Sequence, residues 1–394
     1  MKPSSTWLGS HVTAVLRSSR RNICLLTLTA VLLWTPARGM SDEPDTNSNP
    51  VKRQTENVLL VTIDGLRWQE VFGGADESYM DKEFGGVKDI DALKQRFLRD
   101  TQHRRCNALM PFFWSTIAKQ GRVYGNPEHD SIARVENPHM FSYPGYNEIL
   151  TGIADPSIDS NDKNPNPHVT VLEWLHQLPG FNNRIRAFCS WDVFPYIINS
   201  ERSGIPVNAG WQPLAYDGGP TVLKALDHTA DQLPHYWENV RYDYFTFRGA
   251  LACIEYEKPR VLYVAFGETD DWAHAGRYDL YLDAARRTDQ YIARLWKTMQ
   301  KMPEYAGKTS LVLTTDHGRG DTREDWKSHS DEIPGSQAIW IAVMGPETPP
   351  GHSESETVTQ SQIAASIASL LGHDYHAAVP RSGPPLPQLI RHDR

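Results

Sequence analysis

The sequence predicts an α/β fold: a mostly parallel central sheet with helices on both faces. Three observations carry that prediction. Short apolar runs rich in β-branched residues recur along the chain without polar alternation, as strands buried on both faces require. Between them lie stretches such as 279–301, where apolar residues return at helical spacing. Three of the runs lead directly into acidic and imidazole side chains, and in open α/β sheets sites form beyond the carboxyl ends of the strands.

The first 39 of the 394 residues are a different material. They hold Lys2, Arg17, Arg20, Arg21 and Arg38 and no acidic residue. The apolar run Ile23–Trp34 is too short to span a bilayer, which takes about 20 residues. A basic start, a short apolar stretch and small residues near Ala37 and Gly39 together read as a secretory signal peptide over 1–39. Ser19-Arg20-Arg21 adds a weak likeness to a twin-arginine signal. The expectation is export to the periplasm or the exterior, with no stable transmembrane anchor. Residues 40–56, polar and with two prolines, read as a flexible linker. A single folded domain is expected over 57–376, and a Pro-rich tail without regular structure over 377–394.

With 40% hydrophobic and 22% charged residues, the composition is that of a globular chain. Without 1–39 it carries 35 basic against 48 acidic residues, a charge of −13 that argues against specific nucleic-acid binding. Cys106, Cys189 and Cys253 match no zinc-ribbon or CxxC spacing, and buried free thiols are expected.

Val58–Ile63 ends in Asp64-Gly65. Val261–Phe266 runs into Gly267-Glu268-Thr269-Asp270-Asp271-Trp272-Ala273-His274. Ser310–Thr315 ends in Asp316-His317-Gly318, and His329 precedes a fourth run, Ala338–Met344. Asp270 and His274 stand four apart, so one helical face presents both to a single ion. Asp271 is the competing carboxylate, at a spacing of three. Asp64, Asp270, Asp316, His274, His317 and His329 form a mixed oxygen and nitrogen donor set for two divalent ions. Zinc is the first expectation and manganese the alternative.

The stretch 137–152, NPHMFSYPGYNEILTG, supplies a nucleophile. Ser142 lies in a Pro/Gly/Tyr-rich turn, with a helix expected from near Glu148. Metal coordination would deprotonate the Ser142 hydroxyl, and the Asn147 amide would donate hydrogen bonds to a transferring oxyanion. Beyond it, a helix is expected over Val169–Leu178 and a strand over Arg184–Cys189. The many aromatic residues of this interval, Trp174, Trp191, Phe194 and Trp237 among them, are expected mainly in the core. Arg67, Arg319 and Lys327 adjoin the ligand positions and are candidate phosphate binders, with a solvated surface role the equal alternative.

In this order the blocks resemble the alkaline phosphatase superfamily of two-metal phosphoryl- and sulfuryl-transfer enzymes. Val61–Arg67 resembles the first ligand strand, and Ser142-Tyr143-Pro144 through Thr151-Gly152 the nucleophile segment. Asp270–Gly276 resembles the D-x-x-x-H-x-G block, Asp316-His317-Gly318 the Asp-His pair, and Ser328-His329-Ser330 the closing His segment. The resemblance implies an alkaline phosphatase-like domain with two metal sites. Asp64, Asp316, His317 and Ser142 would form one; Asp270, His274 and His329 the other. It implies a hydrolase of small phosphate esters, mono- or diester, working through a phosphoserine on Ser142. A phosphotransferase or mutase on the same site is the alternative. Sulfatase activity is disfavoured because Tyr146 stands where the formylglycine motif needs Arg. A non-catalytic binding protein is the least favoured, since every ligand position is filled.

Overall fold

The computed structural model describes residues 52–391. The expected signal peptide (1–39), residues 40–51 of the expected linker and 392–394 lie outside the described residues.

The strands are β1 (Asn57–Ile63), β2 (Arg122–Tyr124), β3 (Ile132–Arg134), β4 (Ile185–Cys189), β5 (Val207–Ala209), β6 (Val261–Phe266), β7 (Thr309–Thr314), β8 (Ala338–Ile339), β9 (Ile341–Met344), β10 (Gly351–His352) and β11 (Thr357–Thr359). Eight form one sheet in the order β10-β2-β9-β7-β1-β6-β4-β5, and β11-β3-β8 form a small second one. β1 pairs in parallel with both β6 and β7. Ile63 faces Phe266 and Thr62 faces Thr314, so Asp64, Gly267 and Thr315 leave the sheet along one edge. Alternation along β1 builds the two cores: Val58 and Leu60 belong to one, Leu59, Val61 and Ile63 to the other. The helix Tyr278–Met299 covers the second core through Tyr281, Leu282, Ile292 and Leu295. The helix Gln362–Leu370 covers the first through Ile363 and Ile367. The expected α/β sheet with helices on both faces is present.

Local expectations need correction in two places. Ala338–Met344 is not one parallel strand. It breaks at Trp340, with β8 in the small sheet and β9 in the large one, antiparallel to β7. Trp340 is fully buried; its carbonyl accepts the Thr314 hydroxyl at 2.8 Å and its indole N–H donates to the Leu66 carbonyl at 2.9 Å. Those bonds fix the point where the chain changes sheets. The second correction concerns 142–151. The helix starts at Ser142, not near Glu148. Pro144 falls in the first turn, where backbone N–H groups have no partner within the helix, so a proline costs nothing there. Gly145 is required for a different reason: a Cβ would sit 2.4 Å from the Asp316 carbonyl oxygen.

Residues 54–56 of the expected linker are fastened to the body. Gln54 and Thr55 donate their N–H groups to Glu347, and the Thr55 hydroxyl meets that of Ser310 at 2.8 Å. After Ala378 no helix or strand occurs up to Arg391, yet Leu386 and Leu389 are buried in the core. Cys106, Cys189 and Cys253 are free and buried.

Candidate active site

The helix that begins at Ser142 and three strand ends converge. Asp64 follows β1, Asp316 and His317 follow β7, and all three are buried. His317 Nε2 lies 3.4 Å from Asp64 Oδ1 and 3.4 Å from Asp316 Oδ2. Its Nδ1 is 2.9 Å from the Gly318 carbonyl. A carbonyl only accepts, so Nδ1 carries the proton and the Nε2 lone pair faces the carboxylates. The Ser142 hydroxyl stands 3.5 Å from the same Nε2. Tyr146, one turn down the same helix face, donates its hydroxyl to Asp64 Oδ2 at 2.8 Å, and the Gly65 N–H donates to Asp316 Oδ1 at 3.1 Å. The remaining oxygens, Asp64 Oδ1 and Asp316 Oδ2, are buried without a hydrogen-bond donor among the described residues.

That arrangement is costly without a cation. Burial, and then the charge of Asp270, pushes the Asp64 carboxyl well above its ordinary range; burial, and then Asp64, does the same to Asp316. Two orphaned carboxylate oxygens, one imidazole lone pair and a hydroxyl are the donors a divalent ion needs. The residues fit the metal that the resemblance implies.

A second group adjoins the first. Asp270 and His274 share one face of the helix Glu268–His274. Asp270 is 3.3 Å from His274 Nε2, 3.6 Å from His329 Nε2 and 3.7 Å from His317 Nε2. His274 Nε2 and His329 Nε2 are 3.0 Å apart. His329 Nδ1 donates to the Met140 carbonyl at 3.2 Å, which again leaves Nε2 unprotonated and facing the group. Burial, and then His317, pushes His329 well below the usual imidazole range. Burial raises the Asp270 carboxyl, but Arg319, His274 and His329 outweigh it and hold it well below the ordinary range. One donor atom from each of Asp270, His317 and His329 lies within 4.8 Å of the others, as for Asp64, Asp316 and His317.

Not every candidate comes to the site. The Asn147 amide is turned into the fold: its nitrogen donates to the Ile153 carbonyl at 2.8 Å, and its oxygen accepts from Asn166 at 3.1 Å. Five residues after Ser142, it lies well round the helix from the hydroxyl. Arg67 is fully buried in an ion pair with Glu70 and donates to the Gly320 carbonyl. Arg319 also turns inward, bonding the Gly65 and Lys327 carbonyls and pairing with Asp270. Both arginines brace the scaffold. Lys327 is exposed.

A cavity of about 640 Å3 opens in front of Ser142, Asp64 and Asp270. Asn161, Lys163, Trp191, Asp192 and Asp271 contribute to its wall. The Asn161 side-chain oxygen accepts the Tyr143 N–H at 2.9 Å beside Ser142. Lys163 and Asp192 form an ion pair at 2.7 Å. Burial, and then Asp270, pushes the Asp271 carboxyl up to about 9. Sequence reasoning missed Asn161, Lys163 and Asp192, which sit on loops with no periodicity to mark them. Tyr146 was findable, because it stands at i+4 from Ser142. Trp174 and Phe194 lie in the core as expected.

Residues 91–370 match the family described as type I phosphodiesterase / nucleotide pyrophosphatase. The chain belongs to that family. It is a hydrolase acting on phosphoester bonds. The match contains Ser142, Asp270, His274, Asp316, His317 and His329, while Asp64 precedes it. A comparison with curated proteins finds no match. Among solved structures, wild-type alkaline phosphatase PafA is similar at 11% identity and a TM-score of 0.52, with 87% of this chain and 100% of that one covered. The lipoteichoic acid synthase LtaP from Listeria monocytogenes is similar at 9% identity and a TM-score of 0.52, covering 84% and 76%. An inactive murine ectonucleotide pyrophosphatase / phosphodiesterase 5 with AMP is similar at 14% identity and a TM-score of 0.50, covering 83% and 97%. At these identities the likeness is one of fold, and the expected alkaline phosphatase-like architecture is the one found. No helix among the described residues is long and apolar enough to cross a membrane.

Proposed function

We propose that this chain is an exported two-metal phosphoesterase that transfers the phosphoryl group of a small ester to Ser142 and then to water. One observation carries the proposal: the Ser142 hydroxyl meets a buried imidazole lone pair beside two orphaned carboxylate oxygens. Two divalent ions, zinc or manganese, would be held by Asp64, Asp316, His317 and Ser142 and by Asp270, His274 and His329. When bound, they would supply the charge that acidifies the serine hydroxyl and offsets that of the transferring group.

The residues of the chain do the rest. Ser142 opens a ten-residue helix, so the helix N-terminus favours a phosphoryl group at the hydroxyl. Its Oγ bonds to phosphorus as the bond to the ester's alcohol oxygen breaks, and water then cleaves the phosphoserine. The Asn161 side chain, its oxygen held by the Tyr143 N–H, would use its amide nitrogen to donate to a non-bridging oxygen in the role expected of Asn147. Tyr146 holds Asp64, and Arg319 holds Asp270.

The test is metal analysis of the purified protein with p-nitrophenyl phosphate, bis-p-nitrophenyl phosphate and p-nitrophenyl sulfate as substrates. About two equivalents of metal and phosphate-ester turnover lost in Ser142→Ala are expected. Transfer of phosphate to an added alcohol without release to water would favour the transferase. A folded protein that binds no metal would overturn the proposal. The basic and apolar character of 1–39 supports export, and the N-terminal sequence of the protein recovered after expression with that segment tests it.

A further inference from the structure

Behind the second ligand group, two buried carboxylates exchange helix caps. Asp243 begins the helix Asp243–Tyr256, and Glu268 begins the helix Glu268–His274. The Asp243 carboxylate accepts the Gly267 N–H at 2.8 Å and the Glu268 N–H at 3.2 Å. In return, Glu268 Oε1 accepts the Asp243 N–H at 2.8 Å. Neither helix has a capping side chain at its own N-cap residue. The exchange therefore supplies partners that N–H groups at a helix start otherwise lack. Each carboxylate is held in turn: the Ser190 hydroxyl donates to Asp243 at 2.6 Å, and Arg287 and the Trp272 indole bond Glu268.

The helix fastened in this way is seven residues long, too short to hold its own direction by backbone bonds alone. It carries Asp270 and His274, whose facing atoms must meet His329, a residue from a loop. A small tilt at the helix start would move both ligands together.

We propose that Asp243 is a positioning residue for the second ligand group: by holding the Gly267 and Glu268 N–H groups it sets the direction in which Asp270 and His274 face His329. The inference rests on reading that group as a metal site. Partners behind metal ligands typically change metal affinity by about 10–100-fold, and Asp243 stands in that relation to two ligands at once.

Asp289 supplies the control. It is equally buried and accepts the Phe112 and Phe113 N–H groups at 2.8 Å each, but no ligand residue follows those amides. The experiment is a stepwise zinc titration of metal-free full-length protein, with thermal melting, for wild type, Asp243→Asn and Asp289→Asn. Both variants are expected to melt earlier. Only Asp243→Asn should weaken one of the two metal steps, by about 10–100-fold, with a lower kcat and an unchanged KM for p-nitrophenyl phosphate. Should Asp243→Asn fail to fold, Glu268→Ala removes the acceptor of the Asp243 N–H, breaks the exchange from the other side and must show the same one-step loss. Wild-type affinity at both steps in these variants would overturn the inference. A wild-type protein that binds no metal would instead overturn the functional reading on which it rests.

Discussion

The two ligand groups lie side by side and are built differently. Asp64, Asp316 and His317 come directly from the ends of β1 and β7, neighbours at the centre of the sheet, and are buried. Asp270 and His274 come from a seven-residue helix and His329 from a loop, and the His274 side chain is 47% exposed. The first group inherits its geometry from strand register. The second depends on bonds made behind it: Asp243 to the helix start, Arg319 to Asp270, the Met140 carbonyl to His329. Burial separates them as well: the closed group is buried beside Ser142, while the open one reaches solvent through His274.

The largest effect tests where the chemistry sits. Ser142→Ala should lower kcat/KM by roughly a thousand-fold or more, as losses of nucleophiles do, while both metals still bind. Turnover that survives would move the nucleophile elsewhere and break the association of the closed group with the attacking oxygen.

Next comes the contrast between the groups. Asp316→Asn should abolish metal binding at the closed group, because it removes one of the two carboxylate charges that Asp64 and Asp316 supply at a buried position. His274→Ala should weaken the open group but leave it measurable, since solvent reaches that position. Against a graded chelator, wild type should release its metal in two steps, with the open group's first. A single cooperative release, or the same loss in both variants, would show that the two groups are one unit.

How far the sequence went follows the same division. The closed group was legible because register is local in effect: an apolar run that ends in Asp64 or Asp316 delivers that residue to the sheet edge whatever surrounds it. Asp270 and His274 were legible from their spacing. The order of the strands, the reversal at β9 and the break at Trp340 were not, because they depend on pairings between distant segments. The helix start at Ser142 was missed because Pro144 and Gly145 read as a turn, although proline is harmless in a first turn and glycine was needed against Asp316. Asn147 was given a role by residue type alone. Its orientation depends on Asn166 and Ile153, which no local pattern announces.

That misassignment makes a prediction of its own. Asn147→Ala strands the Ile153 carbonyl in the core and takes one of the Asn166 amide's two acceptors, the Ile197 carbonyl remaining, at a cost of about 1–3 kcal/mol for a buried group left unpaired. Denaturant unfolding should show that loss, while kcat of the folded protein stays near wild type. A collapse of kcat at unchanged stability would return Asn147 to the reacting groups.

The last effect concerns the link between the groups. Glu148, on the nucleophile helix, accepts the Glu136 and Asn137 N–H groups and the Asn137 amide. Asn137 in turn accepts the Met140 N–H, and the Met140 carbonyl holds His329. The helix of the closed group thus steadies the segment behind the open one. Burial outweighs the donated hydrogen bonds and raises the Glu148 carboxyl from 4.5 to about 7. The folded state therefore binds this proton more tightly than the unfolded state between those values. Stability should fall as pH rises from about 4.5 to about 7 and level off above, by at most about 3 kcal/mol from this residue. Glu148→Gln cannot titrate, so urea midpoints of the metal-free protein across that window should lose this part of their slope in the variant. The metal titration then divides the outcomes. If ionised Glu148 loosens segment 136–140, the gain in open-group affinity that ligand deprotonation brings as pH rises should be smaller in wild type than in Glu148→Gln over the same window, while the closed group responds equally in both.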